Sequence, residues 1–303
     1  VLNRARAQAP NDPRVYLMAG VMSEKAGNVA GAFQLMRTGL ELAPNWAPGI
    51  VVLAQLQARQ GQFAEAKENA ATALQLDSKA RVVVDGAIDV AHLTGDLEQA
   101  VTLLQQGLAQ QPTDIKWRLM LANALSQLDR HEDALLRWDE ILTELPQNEQ
   151  ALKGRMHTLL AAGRLEDAAV VTAKLLALAP DNPVYAYYDA RANGKTPAHQ
   201  PAELNRSLFD SAAHIFDQQL VQGLRYQLPL EVAKKILEIF PDKNFSLLDL
   251  GCGTGLLGAQ LGKLQGRMVG VDVSPKMLEQ ARRHQLYDSL EVADLHDALA
   301  TAE

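Results

Sequence analysis

Three carboxylates and a cluster of glycines carry the spacing of a site for a nucleotide-like ligand. Ser246 to Gly255 reads Ser-Leu-Leu-Asp-Leu-Gly-Cys-Gly-Thr-Gly. The run Leu247 to Leu250 predicts a short buried parallel strand, which leads straight into Gly251, Gly253 and Gly255. Apolar residues resume as a helix at Leu256, Leu257, Leu261 and Leu264. Strand, glycine turn and helix together bring such a ligand to a helix N-terminus. Glycine is required where a Cβ would block close backbone approach.

Asp249 gives this turn a sign. A carboxylate fused to the glycines opposes a phosphate and suits the ammonium of a methionine moiety, which points to S-adenosylmethionine over a dinucleotide. The rival stands on Gly253-Thr-Gly255-Leu-Leu-Gly258, which also satisfies the dinucleotide pattern of spaced glycines. Two downstream stretches separate the two. Arg267 to Asp272 predicts a second strand ending in an acid, and Asp272 could take the ribose hydroxyls of either ligand. Ser289 to Asp294 predicts a third strand that also ends in an acid, able to accept from an adenine amino group. That third element has no standard part in the dinucleotide pattern.

LLDLGCGTG, VGVDVSPKML and EVADL together resemble the start of a class I S-adenosylmethionine-dependent methyltransferase, over about the last third of the chain. The resemblance implies that Gly251, Gly253 and Gly255 line the methionine part, with Asp249 beside its amino group. It implies that Asp272 grips the ribose, that Val273 and Met277 flank the adenine, and that Asp294 with Leu295 meets the adenine edge. Cys252 lies inside the turn and counts among the cofactor-lining residues. As a nucleophile it lacks any flanking His in a triad-like pattern, so it reads as a small residue in a tight place. The chemistry implied is in-line transfer of a methyl to a substrate N, O or S.

The rest of the chain must position and serve that site. Its 303 residues suffice for two domains, with 48% hydrophobic and 21% charged residues, as in a soluble globular protein. No run approaches a membrane helix. The start carries neither a signal peptide nor an initiator Met, and the expectation is a chain that begins inside a longer protein. One Cys permits no internal disulfide and suits a reducing cytoplasm. A net charge of −7 argues against a nucleic-acid surface built on phosphate contacts.

The first half repeats with a period of 34: Ala32, Ala66, Ala100, Ala134 and Ala168 recur without a slip. Gly27, Gly61, Gly95 and Gly163 keep the same beat, with Asp129 standing in once. Pro44, Pro112, Pro146 and Pro180 close the units, with Ser78 standing in once. Small residues let two helices approach, Gly or Asp makes the turn, and Pro stops the second helix. One pair cannot bury its apolar face, so pairs stack. The pattern resembles five tetratricopeptide repeats over about Asn11 to Asp181, with residues 1–10 as the tail of a preceding helix. Pro183 to Ala192 predicts one more helix, a terminal cap or the surface joining two domains.

Counting in register, the groove of such a stack draws on Arg14, Leu17, Val21, Val51, Gln55, Arg59, Asp85, Asp89, His92, Lys116, Leu119, Asn123, Lys153 and His157. The expected occupant is a peptide or protein. The pattern by which some relatives clamp a chaperone's C-terminal carboxylate is not intact, because Leu119 lies where a second basic residue would help. Asp85, Asp89 and His92 share one helical face, which reads as a solvated polar face in preference to a metal site. The repeats can also self-associate, which leaves a homo-oligomer open.

Asn193 to Pro201 is a polar, Gly- and Pro-containing linker within 193–203. Leu204 to Tyr226 predicts a helix with apolar Leu208, Phe209, Ile215, Phe216, Leu220 and Leu224. It resembles the lead-in helices of a group of bacterial methyltransferases, where aromatics help cover cofactor or substrate. Ala212 stands where an aromatic is common, and ordinary core packing of Phe209 and Phe216 is an equal expectation. Leu230 to Phe240 predicts a second amphipathic helix, ended by Pro241, and His296 to Glu303 a last one.

The fold class is therefore an α-solenoid of helix pairs (1–192), followed by the N-terminal part of an α/β Rossmann-like domain (204–303). By resemblance such a domain has about seven strands, and three are present, so a chain cut short is the expectation. The motif after the fourth strand, where catalytic residues lie by resemblance, is absent, and no catalytic residue is assigned. Strand one should lie beside strand two, with the cofactor over their C-terminal ends. Two function classes follow: a methyltransferase whose repeats recruit a peptide or protein, or a repeat scaffold or cofactor-sensing protein with a non-catalytic domain. All the cofactor acids are intact, which favours the first.

Overall fold

The computed structural model describes residues 9–197, 200–213, 216 and 226–301. The chain divides into two compact units, Val1–Leu178 and Ala179–Glu303.

Among the described residues of the first unit, ten helices follow one another, each packed on the next: α1 Pro13–Lys25, α2 Val29–Leu42, α3 Ala47–Arg59, α4 Phe63–Leu76, α5 Arg81–Leu93, α6 Leu97–Gln110, α7 Ile115–Gln127, α8 His131–Glu144, α9 Glu149–Ala161 and α10 Leu165–Leu178. The alanine beat is the helix–helix contact itself. Ala32, Ala66, Ala100, Ala134 and Ala168 are all fully buried. The turn beat also has a backbone reason. Gly27, Gly61, Gly95 and Gly163 have φ between 71° and 83°, and Asp129 adopts φ 56° in the same place. Asp tolerates that left-handed conformation better than most residues. Where Ser78 replaces the stop proline, Asp77 Oδ1 accepts from the N–H groups of Lys79 and Ala80 and turns the chain instead.

Several groove candidates are engaged with the neighbouring repeat. Arg59 donates twice to Glu24 (2.6 and 2.9 Å), and Gln55 donates to Asp89 (2.8 Å). Trp117 Nε1 donates to Asp85 (2.6 Å), and the Arg81 guanidinium lies 3.7 Å from the Trp117 ring centre. Each pair joins residues about one repeat apart, so these side chains help hold the stack. Val51 and Leu119, expected on the groove, belong to the core.

In the second unit, α11 (Pro183–Ala192) groups with the residues that follow it. Helices α12 (Ala202–Ala212) and α13 (Leu228–Ile239) come next. Strand β1 (Leu247–Leu250), α14 (Leu256–Leu261), β2 (Met268–Asp272), α15 (Pro275–Arg283), β3 (Ser289–Val292) and α16 (Leu295–Thr301) follow among the described residues. Among the described residues the three strands form one parallel sheet, ordered β1-β2-β3, with Leu247 opposite Met268 and Val269 opposite Ser289. Right-handed crossover helices are the usual link between such strands.

Three expectations need correction. Strand β1 is only partly buried: Leu248 is 41% exposed, on the face opposite to buried Asp249. The helix after the glycines stops at Leu261, short of Leu264, because Gly262 takes φ 67° and breaks it. Strand β3 ends at Val292, so Asp294 lies beyond it, just before α16. The expected helix tail in 1–8, most of the stretch 214–225 and the last two residues lie outside the described residues, as do the side chains of Leu208 and Ala212.

Candidate functional site

The glycine turn hangs from the end of β2. Val271 O accepts from the N–H groups of both Gly251 (2.8 Å) and Cys252 (3.0 Å). Asp272 continues the attachment: Oδ2 accepts from Gly253 N–H (2.9 Å), and Oδ1 from Ser274 N–H (2.8 Å). Asp272 therefore ties two loops together, and each of its oxygens retains one further acceptor site for a ligand.

The glycines of the turn do different work. Gly251 (φ 73°) and Gly253 (φ 55°) lie in the left-handed region, and a Cβ on either would meet no protein atom within 4 Å. Their smallness keeps space open beside the turn. Gly255 (φ 84°) is different, since a Cβ there would lie 3.1 Å from both Ala281 and Tyr287. Gly255 thus serves packing between α14 and α15.

A cavity of about 560 Å³ opens over the turn. Nine of the ten predicted residues line it: Asp249, Gly251, Cys252, Gly253, Asp272, Val273, Met277, Asp294 and Leu295, with Gly255 outside. Lining residues without a strong sequence signal are Asn205 on α12, Tyr226, and Leu228, Pro229 and Val232 on α13. Phe209 and Phe216 also line it, edge to face with centres 6.2 Å apart. The volume lies within the range of small-molecule sites, with apolar walls and a few convergent polar groups.

Helix α12 is held to the loop after β2. Ser274 Oγ donates to Asp210 Oδ1 (2.6 Å), and Arg206 Nε donates to Val273 O (3.1 Å). Ser274 also caps α15, accepting from Met277 N–H. The two contacts to α12 span more than 60 residues, and no local pattern announces them.

Asp249 is 8% exposed, and burial pushes its carboxyl above the ordinary carboxylate range. A hydrogen bond from Tyr287 opposes that shift, while the Asp272 charge adds to it. Tyr287 was invisible as a site residue in the sequence. Cys252 is buried, and its thiol is pushed up to about 12, by burial first and then by the Asp249 and Asp272 charges. A thiol protonated at neutral pH is a poor nucleophile. Alkylation of Cys252 should therefore run on the order of 100-fold slower in the folded chain than in denaturant, as read by mass spectrometry. Equal rates would contradict its burial.

In the repeats, His92 Nε2 is buried with no hydrogen-bond partner among the described residues, and burial lowers the imidazole pKa. Among the described residues no cluster of His, Cys, Asp and Glu could hold a metal ion. Among them also, no helix is long and apolar enough to cross a membrane.

Comparison with known proteins gives two family matches. The model of a methyltransferase domain matches residues 247–302, and that of the tetratricopeptide repeat matches 91–137. Human methyltransferase-like protein 27 is 38% identical over 105 residues, 32% of this chain and 42% of that protein. The ubiquinone biosynthesis O-methyltransferase of Pelagibacter ubique is 42% identical over 52 residues, 17% of this chain and 22% of the relative. That of Bartonella tribocorum is 29% identical over 79 residues, 26% of this chain and 32% of the relative. The chain spans less than half the length of these curated relatives. A solved tetratricopeptide repeat protein from Parabacteroides merdae shares the fold at 15% identity, with a TM-score of 0.53, over 74% of this chain and 91% of that one. The chain thus joins tetratricopeptide repeats to a segment of a methyltransferase domain.

Proposed function

We propose that this chain belongs to an S-adenosylmethionine-dependent methyltransferase whose repeats recruit a peptide or protein. One observation carries the cofactor assignment: Gly251 and Gly253, both with positive φ and open space at Cβ, stand beside buried Asp249 and Asp272 in one cavity. A pyrophosphate would meet the Asp249 carboxylate there, whereas an ammonium finds an acceptor, and Asp272 can accept from ribose hydroxyls. Asp249 would take the ammonium and Asp272 the ribose hydroxyls. Val273 and Met277 would flank the adenine, with Asp294 and Leu295 at its edge.

S-adenosylmethionine, when bound, supplies a methyl made electrophilic by its positive sulfonium. The residues here bind and orient the reactants and exclude water, which is where the protein gains rate in such a transfer. Phe209, Phe216 and Leu228 supply apolar wall for that purpose.

Asp272→Ala removes a ribose acceptor and the tie to Gly253 and Ser274 together. It should reduce S-adenosylmethionine affinity by on the order of 100-fold or more, since charge-assisted bonds to two hydroxyls are lost. Capture of a groove partner by the repeats should stay unchanged in the same variant. Partner affinity that changes when S-adenosylmethionine is added would favour a cofactor-sensing protein over an enzyme. Cofactor affinity unaltered in a folded Asp272→Ala protein would contradict the assignment of the site.

A further inference from the structure

Tyr287 stands between α15 and β3, and its hydroxyl donates to Asp249 Oδ2 at 2.7 Å. Three glycines on two elements of the unit leave the space its ring occupies. A Cβ on Gly255 would lie 3.1 Å from Tyr287 Cε2, one on Gly258 2.7 Å from the phenolic oxygen, and one on Gly270 2.9 Å from Cδ1. Gly258 and Gly255 belong to α14 and its cap, and Gly270 to β2. The backbone around the turn is thus built to admit one large ring with its oxygen against one carboxylate.

That carboxylate has little other help. The titratable groups that face Asp249 are Tyr287, Asp272 and the Cys252 thiol. Asp272 repels its charge, and the thiol is itself held neutral by burial. Among these three groups, the Tyr287 hydroxyl alone favours the ionised form. The bond to Tyr287 uses one of about four acceptor positions on a carboxylate, and Asp249 lines the cavity with the rest of the group.

We propose that Tyr287 is the positioning residue of this site, fixing Asp249 in the orientation and charge state that receives a ligand ammonium. The proposal rests on the assignment of the cavity to S-adenosylmethionine. The Tyr–Asp bond also explains Gly258, whose place in a dinucleotide-like spacing is accounted for by ring packing with no phosphate involved.

The test is a carbon-13 carboxyl titration of Asp249 by NMR in the ligand-free chain, together with S-adenosylmethionine affinity measured by calorimetry across pH. Tyr287→Phe keeps the ring and removes the donor. The Asp249 midpoint should rise by about one pH unit, because a hydrogen bond to a charged group changes the ionisation equilibrium about tenfold. Affinity should be lost on acidification at a pH higher by the same amount. Gly258→Ala, which retains the phenol but crowds its oxygen, should shift both in the same direction. A midpoint unmoved in Tyr287→Phe would overturn the proposal. If the Phe variant does not fold, a midpoint unmoved in Gly258→Ala would do so. A midpoint that moves in a protein binding no S-adenosylmethionine would sink the cofactor assignment and leave the positioning of Asp249 standing.

Discussion

Trp138→Ala is expected to destabilise the repeat unit by about 3–5 kcal/mol, the usual cost of deleting a fully buried Trp or Phe side chain. Trp138 on α8 is 2% exposed, and its Nε1 donates to Thr158 Oγ1 on α9 at 3.1 Å. The indole packs close against α9 because residue 154 is Gly, and a Cβ there would collide with the ring. Truncation therefore removes the ring's apolar burial and leaves a slot that neither helix can close. Thr158 keeps its bonds to Gly154 O and Ser126, so little of the loss comes from unpaired polar groups. In a stack where each repeat touches only its neighbours, the damage stays near α8 and α9. Urea unfolding followed by far-ultraviolet circular dichroism measures it. A loss below about 1 kcal/mol would show that the slot collapses or that the ring packs elsewhere.

Asp249→Asn should separate binding from stability. The amide keeps an oxygen that can accept from Tyr287, and removes the charge that an ammonium would meet. S-adenosylmethionine affinity should fall by on the order of 10–100-fold. Stability should move the other way. Burial raises the Asp249 pKa in the folded chain, so the folded state binds more protons than the unfolded state between the ordinary carboxylate value and the raised one. Stability must fall as pH rises through that window. The Asn variant escapes the penalty: it should melt higher than the native chain at neutral pH and lose that advantage at pH below the ordinary value. Thermal melts at two pH values decide this. An Asn variant that binds normally, or that gains stability only in acid, would contradict the role given to this carboxylate.

The parts of this molecule that were legible in the sequence are those with local rules. The beat of Ala32 to Ala168 fixes where helices touch, and Gly27, Gly61, Gly95 and Gly163 fix where they turn. Asp129 could be read as a stand-in because its side chain tolerates positive φ. The glycine turn with Asp249 and Asp272 was legible for the same reason, as strand, turn and acid follow within a few residues. What was hidden depends on distant partners. Gly154 and Gly107 sit inside helices, where glycine weakens a helix, and only the rings of Trp138 and Trp117 explain them. Tyr287 meets Asp249 from 38 residues away, and Asp210 meets Ser274 from 64. Groove candidates Gln55, Arg59 and Asp85 had the right register for ligand contact, and they also bond across repeats. Spacing places a residue on a face without saying whether its neighbour already holds it.

The most direct test of the central claim is calorimetric titration of this chain with S-adenosylmethionine and, separately, with NAD. Asp249 beside the glycines should admit the first and repel the pyrophosphate of the second. Heat of binding with S-adenosylmethionine alone, with affinity weakened on the order of 10–100-fold in Asp249→Asn, is the predicted result. Binding of NAD with none of S-adenosylmethionine would contradict the account and return the glycine turn to a dinucleotide.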